Sequence, residues 1–229
     1  MSFLAILALS EDGIFHRDVS TGNLMLRRPS GSEGRIQGVL SDFDLAVDMH
    51  DRNMIGNSHL HRTGTLPFLS RSLLQQLENP THRFPYIVRF DLESCIYVFL
   101  WDAMFHPEGH ETAKSQCEQT NVLLDSWLSA DPEALYKDKL ALSETFTNKY
   151  LPEDDVESKT SFPYLFKCRS ALAELLSMIT MAYTVWNIEA RRRKLNMSSP
   201  EWKDLCGHFQ SDFVLEQFKE MQMALTEPA

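Results

Sequence analysis

The reading of this chain turns on His16-Arg17-Asp18-Val19-Ser20-Thr21-Gly22-Asn23 and, eighteen residues past its asparagine, on Ser41-Asp42-Phe43-Asp44. Between them lie two short β-like segments, Asn23-Leu24-Met25-Leu26-Arg27 and Ile36-Gln37-Gly38-Val39-Leu40. They flank Pro29-Ser30-Gly31-Ser32-Glu33-Gly34, a run of turn formers. This order predicts a β-hairpin over residues near 23–28 and 36–41. Such a hairpin sets Asn23, where one strand begins, beside Asp42, just past the end of the other.

Those residue types suit one chemistry. Phosphoryl transfer from ATP needs Mg2+ held by hard oxygen ligands and a carboxylate near the attacking hydroxyl. Asp18 can supply that carboxylate, and Asn23 and Asp42 can supply metal oxygens. H-R-D-x-x-x-x-N followed by D-F-x is the pairing of catalytic loop and metal loop used by protein kinases. H-R-D alone would say little; the eight-residue pattern, the hairpin and the second aspartate in order say much more.

Further motifs extend the match. Arg62-Thr63-Gly64-Thr65-Leu66-Pro67-Phe68 looks like the end of a kinase activation segment. Asp91-Leu92-Glu93-Ser94, followed by Tyr97-Val98-Phe99-Leu100-Trp101, looks like the buried central helix of a kinase C-lobe. Taken together, residues 16–101 resemble the fungal-type protein kinases. The resemblance implies a mainly α fold with a small β-hairpin, a kinase-like C-lobe, and ATP- and Mg2+-dependent transfer to serine or threonine of a protein substrate. It implies that Asp18 is catalytic together with Asn23, and that Asn23 and Asp42 hold metal. It gives structural or regulatory parts to His16 (packing against the metal loop), Arg17 (receiving an activation-segment phosphate), Asp44, Thr65 (beside Asp18) and Asp91 (tying down the catalytic-loop backbone). A small-molecule phosphotransferase would share H-x-D-x-x-x-x-N, but the R-T-G-T-L-P-F segment favours a protein kinase.

Several residues depart from the usual kinase pattern. Ser20 stands where a lysine commonly meets the γ-phosphate. Asp44 replaces the glycine of D-F-G, removing the freest backbone joint. Ser70-Arg71-Ser72 stands where A-P-E would anchor the segment through its glutamate. Fifteen residues precede His16, too few for a glycine-rich loop, a strand lysine and a helix glutamate. The expectation is a C-lobe with its N-lobe absent, inactive as this truncated chain. The alternative is a non-catalytic interaction module whose exposed apolar surface takes a missing N-lobe or another partner protein.

One domain over 1–229 is expected: a helix end at 1–15, the catalytic loop and strand at 16–28, and the metal loop and activation segment at 36–72. The central buried helix follows at 91–105, and C-terminal helices fill 111–229. The helix before His16 stops at Glu11-Asp12-Gly13, with Gly13 just past its end. Leu73 to Leu77 suits a short helix, and residues 44–70 a long loop. Asp91 to Phe105, almost wholly apolar after its first turn, belongs at the centre of a domain. Later helices are expected over 121–128, 132–150, 165–194 and from Pro200 to about Leu225, with Asp131-Pro132 as a helix start and an acidic connector over 151–160.

Composition agrees with a soluble globular chain, 43% hydrophobic and 24% charged. The 22 basic and 32 acidic residues leave a formal charge of −10, which argues against nucleic acid and anionic membrane as partners. The apolar start, Ser2 to Leu9, has no preceding Lys or Arg and is too short to span a bilayer. Cys95, Cys117, Cys168 and Cys206 form no C-x-x-C pair and read as buried hydrophobes in an intracellular protein. Arg191-Arg192-Arg193-Lys194 reads as the solvated basic end of a helix, and Met178, Met181 and Tyr183 as core. Thr63 is a candidate phosphosite, while His59, His61 and His82 lack the spacing of metal ligands.

Overall fold

The computed structural model describes residues 2–27, 37–50, 64–79, 85–105, 127–128, 131–145 and 163–226. These residues are mainly helical, with two small antiparallel sheets. They fall into two compact units, Met1–Val98 and Phe99–Ala229.

In the first unit, α1 (Ser2–Glu11) buries Phe3 and Ile6 and packs on strands β1 (Ile14–Phe15) and β3 (Gln37–Leu40). Gly13 ends it with φ +75°, a backbone geometry that a side chain would strain, and a Cβ there would lie 2.7 Å from His50 Nε2. Strand β1 pairs with β4 (Val47–Asp48). Strand β2 (Leu24–Arg27) pairs with β3, setting Leu24 opposite Leu40. The expected hairpin is therefore present, one residue shorter at each end. Its tip, at 28–36, lies outside the described residues.

The expected loop over 44–70 holds β4 and a 3-10 turn at Leu66–Phe68. Its residues 51–63, with Thr63, His59 and His61, lie outside the described residues, and so does His82. Helix α2 (Arg71–Glu78) begins at Ser70, whose hydroxyl accepts from the Leu73 amide at 3.4 Å. Helix α3 (Val88–Phe105) starts three residues before the expected Asp91. Every side chain from Asp91 to Val98 is buried, and Leu100 is 0% exposed, in keeping with the apolar run from Ile96.

In the second unit, α4 (Pro132–Thr145) opens as expected, with Asp131 accepting from the Glu133 amide at 3.0 Å. The helix expected over 165–194 is two helices, α5 (Pro163–Lys167) and α6 (Arg169–Arg193), because the backbone departs from helical geometry at Cys168. Helix α6 packs against α4 and α7 (Ser211–Thr226). It is long and apolar enough to cross a bilayer by length and composition alone; here its inner face, including Leu172, Leu175, Ile179 and Trp186, is core. Met181 corrects an expectation: it is 59% exposed, while Tyr183 is buried and Met178 half-buried. The basic end is solvated, with Arg192 paired to Glu189 and Arg193 to Glu201.

The last helix corrects another expectation. From Pro200 the chain makes only a 3-10 turn to Trp202, and α7 begins at Ser211. Leu205, Cys206 and Gly207 all take left-handed φ, which ends a right-handed helix. Burial of Trp202, Leu205 and Phe209 holds that turn in place. Cys206 sits in it and is only half-buried, unlike Cys95 and Cys168; all three thiols are free. Burial pushes the Cys168 thiol up to about 11. Cys117, the connector at 151–160 and most of the segment 121–128 lie outside the described residues.

Candidate active site

The site is built where the loop 16–23, the open end of the β2–β3 hairpin and residues 64–65 meet. Asp91, in the first turn of α3, reaches the loop from beneath. Its Oδ2 accepts from the His16 amide at 2.9 Å and its Oδ1 from the Arg17 amide at 3.0 Å. Tyr86 donates its hydroxyl to the same Oδ1 at 2.7 Å. Burial raises the Asp91 carboxyl above its ordinary value, against the pull of those three donors. The clamp has a conformational consequence. Arg17 holds φ 71°, a left-handed geometry that costs an ordinary residue roughly 1–2 kcal/mol. The two backbone bonds to Asp91 offset that strain.

Asp18 sits among donors. Its Oδ1 accepts from the Thr65 amide at 2.8 Å and the Thr65 hydroxyl at 2.9 Å. The Asn23 amide nitrogen donates to Asp18 Oδ2 at 3.1 Å and to the Asp18 carbonyl at 2.8 Å. Because both partners can only accept, the nitrogen of Asn23 must face them, and its Oδ1 points elsewhere. Gly64 makes the approach of this segment possible. A Cβ there would stand 3.2 Å from the Arg17 carbonyl and 2.5 Å from Leu69 Cδ2, at φ +145°.

Residues 41–43 are tied to the loop 16–23 twice. The Ser41 amide and hydroxyl donate to the Asn23 carbonyl at 2.9 and 3.1 Å, extending the hairpin register by one residue. His16 Nε2 lies 2.9 Å from the Ser41 carbonyl, and its ring meets Phe43 edge-on at 4.9 Å between centroids. Asp42 therefore emerges one residue past the partner of Asn23, exposed to solvent. Asp42 holds the left-handed φ of this loop, 62°, which aspartate tolerates. Asp44 does not, so the missing glycine of D-F-G leaves no strain at that position. The Asp44 amide makes a long 3.5 Å contact to Asp42 Oδ1.

Arg17 lies over the Tyr86 ring, 5.7 Å from its centroid. Ser20 is buried, and its carbonyl accepts from the Asn23 and Leu24 amides, closing the turn into β2.

No group of three or more His, Cys, Asp or Glu suited to hold a metal occurs among the described residues. Ser41, the residue before Asp42, is bonded to the Asn23 carbonyl, so this end of the hairpin offers one carboxylate and one amide oxygen as donor types. That donor set suits Mg2+, which keeps several waters and binds through one or two protein oxygens plus phosphates.

Two members of this region were not singled out from the sequence as functional. Tyr86 orients Asp91, and Glu93, 0% exposed, accepts from the Arg71 amide at 2.8 Å and the Tyr97 hydroxyl at 2.9 Å. One signal was present: a glutamate inside a mainly apolar helix must find donors.

Residues 5–103 match the family model described as fungal protein kinase. That stretch is under half of the chain's length. No curated protein matches the chain.

Proposed function

We propose that residues 5–103 form the catalytic-loop and metal-loop part of a kinase-like C-lobe of the fungal type, built for phosphoryl transfer from ATP to serine or threonine of a protein. The observation that carries this reading is the hydrogen-bonded set Asp18, Asn23 and Thr65, with Ser41, the residue before Asp42, bonded to the Asn23 carbonyl. Asp18 orients the attacking hydroxyl and takes up its proton at a carboxylate oxygen. Thr65 and Asn23 hold that carboxylate in place. Asn23 Oδ1 and the Asp42 carboxylate would hold Mg2+, which would neutralise charge on the nucleotide phosphates. Ser20 adds no charge toward the γ-phosphate.

Positioning and preorganised charge supply most of such catalysis. These 229 residues alone are expected to transfer no measurable phosphate, since a glycine-rich loop and a strand lysine are not among them. Labelled ATP, Mg2+ and a mixed peptide library test this; clear transfer that disappears in Asp18→Ala overturns it. The metal assignment is tested with Mn2+ in place of Mg2+, together with ATP, by paramagnetic broadening of amide signals. Broadening centred on Asn23 and Asp42 and lost in Asp42→Asn supports the site; broadening elsewhere alone defeats it.

Exposed apolar side chains in the same unit favour a second reading, a non-catalytic interaction module. Leu26 is 79% exposed and Phe43 45%. Binding of a partner protein unchanged by Asp18→Ala and Asp42→Asn but lost in Leu26→Ser would favour it. The free thiols of Cys95, Cys168 and Cys206 support an intracellular setting.

A further inference from the structure

Two buried carboxylates project from the start of α3, two residues apart, and each takes hold of a different segment. Asp91 binds the His16 and Arg17 amides. Glu93 binds the Arg71 amide, the first of α2, at 2.8 Å. Around Glu93 the contacts are built: Tyr97 donates to the same oxygen at 2.9 Å, and Arg89 lies 3.8 Å from the other. Arg89 also reaches toward the Ser72 hydroxyl at 3.5 Å. Arg89, Glu93, Arg71 and Ser72 are all buried.

The segments so held are the two that meet at Asp18. One carries Asp18 itself, one residue past Arg17. The other carries Thr65, which is joined to Ser70 by the 3-10 turn at Leu66–Phe68 and the buried Leu69. A helix is stiff over three residues, so Asp91 and Glu93 act as two teeth of one rigid comb.

We infer that Glu93 is a positioning residue: by fixing the start of α2 it sets Thr65 against Asp18, taking the anchoring part that the missing glutamate at Ser70-Arg71-Ser72 would play. The charge sits at a helix N-terminus, where a carboxylate is favoured. It also satisfies an amide that helix geometry leaves without a partner. The catalytic meaning of this anchor rests on the proposed function, whereas the anchor itself does not.

The test is residue-resolved amide hydrogen exchange on the whole 229-residue chain, without nucleotide, metal or substrate. In Glu93→Ala the Arg71 and Thr65 amides should both exchange at least about tenfold faster, while His16 and Arg17, held by Asp91, keep their protection. Glu93→Gln, which retains an oxygen for Arg71, should restore protection at Thr65. Loss at Arg71 with Thr65 unchanged overturns the inference, as does an equal rise at His16 and Arg17, or a glutamine variant as labile at Thr65 as the alanine one.

Should Glu93→Ala not fold, the unaltered chain in sub-denaturing urea gives the answer. Arg71 and Thr65 should follow one common opening isotherm, and separate isotherms overturn the coupling. Failure of the phosphoryl-transfer reading would appear in the Mn2+ and labelled-ATP experiments and leave these exchange rates untouched.

Discussion

Asp18 and Thr65, 47 positions apart in the chain, are joined by two hydrogen bonds to a single carboxylate oxygen, 2.8 Å from the Thr65 amide and 2.9 Å from its hydroxyl. The pair ties residues 64–65 to the loop 16–23. Replacing Thr65 by valine keeps the amide bond and the shape but removes the hydroxyl donor. The expected loss is about 0.5–1.5 kcal/mol. Thr65→Ser should retain most of the stability. Urea denaturation of the three proteins measures both differences.

Gly64 should tolerate no side chain. At φ +145° even alanine is strained, and its Cβ would meet Leu69 Cδ2 at 2.5 Å. Gly64→Ala should destabilise by more than about 1 kcal/mol, unlike a glycine-to-alanine change at a compatible position. Gly22, whose added Cβ would come no nearer than 3.8 Å to another residue, is the control. Equal stabilities of the two variants would contradict the strain argument.

Asp91 gives a pH dependence. Burial raises its carboxyl above 3.8 in the folded state, so the folded chain holds that proton to higher pH than the unfolded chain does. The stability gained through this group is complete below 3.8 and is lost as pH rises from there through the folded value. Asp91→Asn removes the titration. The stability of the unaltered chain minus that of Asp91→Asn should therefore fall as pH rises from 3.8. Urea denaturation of both proteins across a pH series measures it. A difference that grows over that range would show that the His16, Arg17 and Tyr86 donors outweigh burial.

The core prediction contrasts two leucines of the first unit. Leu92 is 0% exposed on α3, and Leu26 is 79% exposed on β2. Leu92→Ala should cost about 2–5 kcal/mol through lost burial and a residual cavity. Leu26→Ala should stay within about 0.5 kcal/mol of the unaltered chain. Thermal or urea unfolding of both variants checks the contrast.

The local signals were legible in the sequence because each is written within a few residues. Turn formers between two β-like runs were enough to place the hairpin, whose strands end within one residue of the expected bounds. The apolar run after Asp91 was enough to place α3 in a core. Asp131-Pro132 marked a helix start for the same reason. The H-R-D-x-x-x-x-N spacing kept Asp18 and Asn23 near each other, since only four residues lie between them.

Tertiary structure alone decided what depends on a partner far along the chain. That Glu93 meets the Arg71 amide, and that Tyr86 completes the donors around Asp91, follows from which loops arrive at the start of α3. The left-handed turn at 205–207 shortened a helix that local propensity extends to Pro200, because burying Trp202, Leu205 and Phe209 outweighs the cost of positive φ. Met181 turned outward because a long helix has one inner face, and its neighbours Leu175, Ile179 and Tyr183 occupy it. Sequence names the residues able to bond or to be buried; the assembled chain alone selects, among competing donors and faces, those that are.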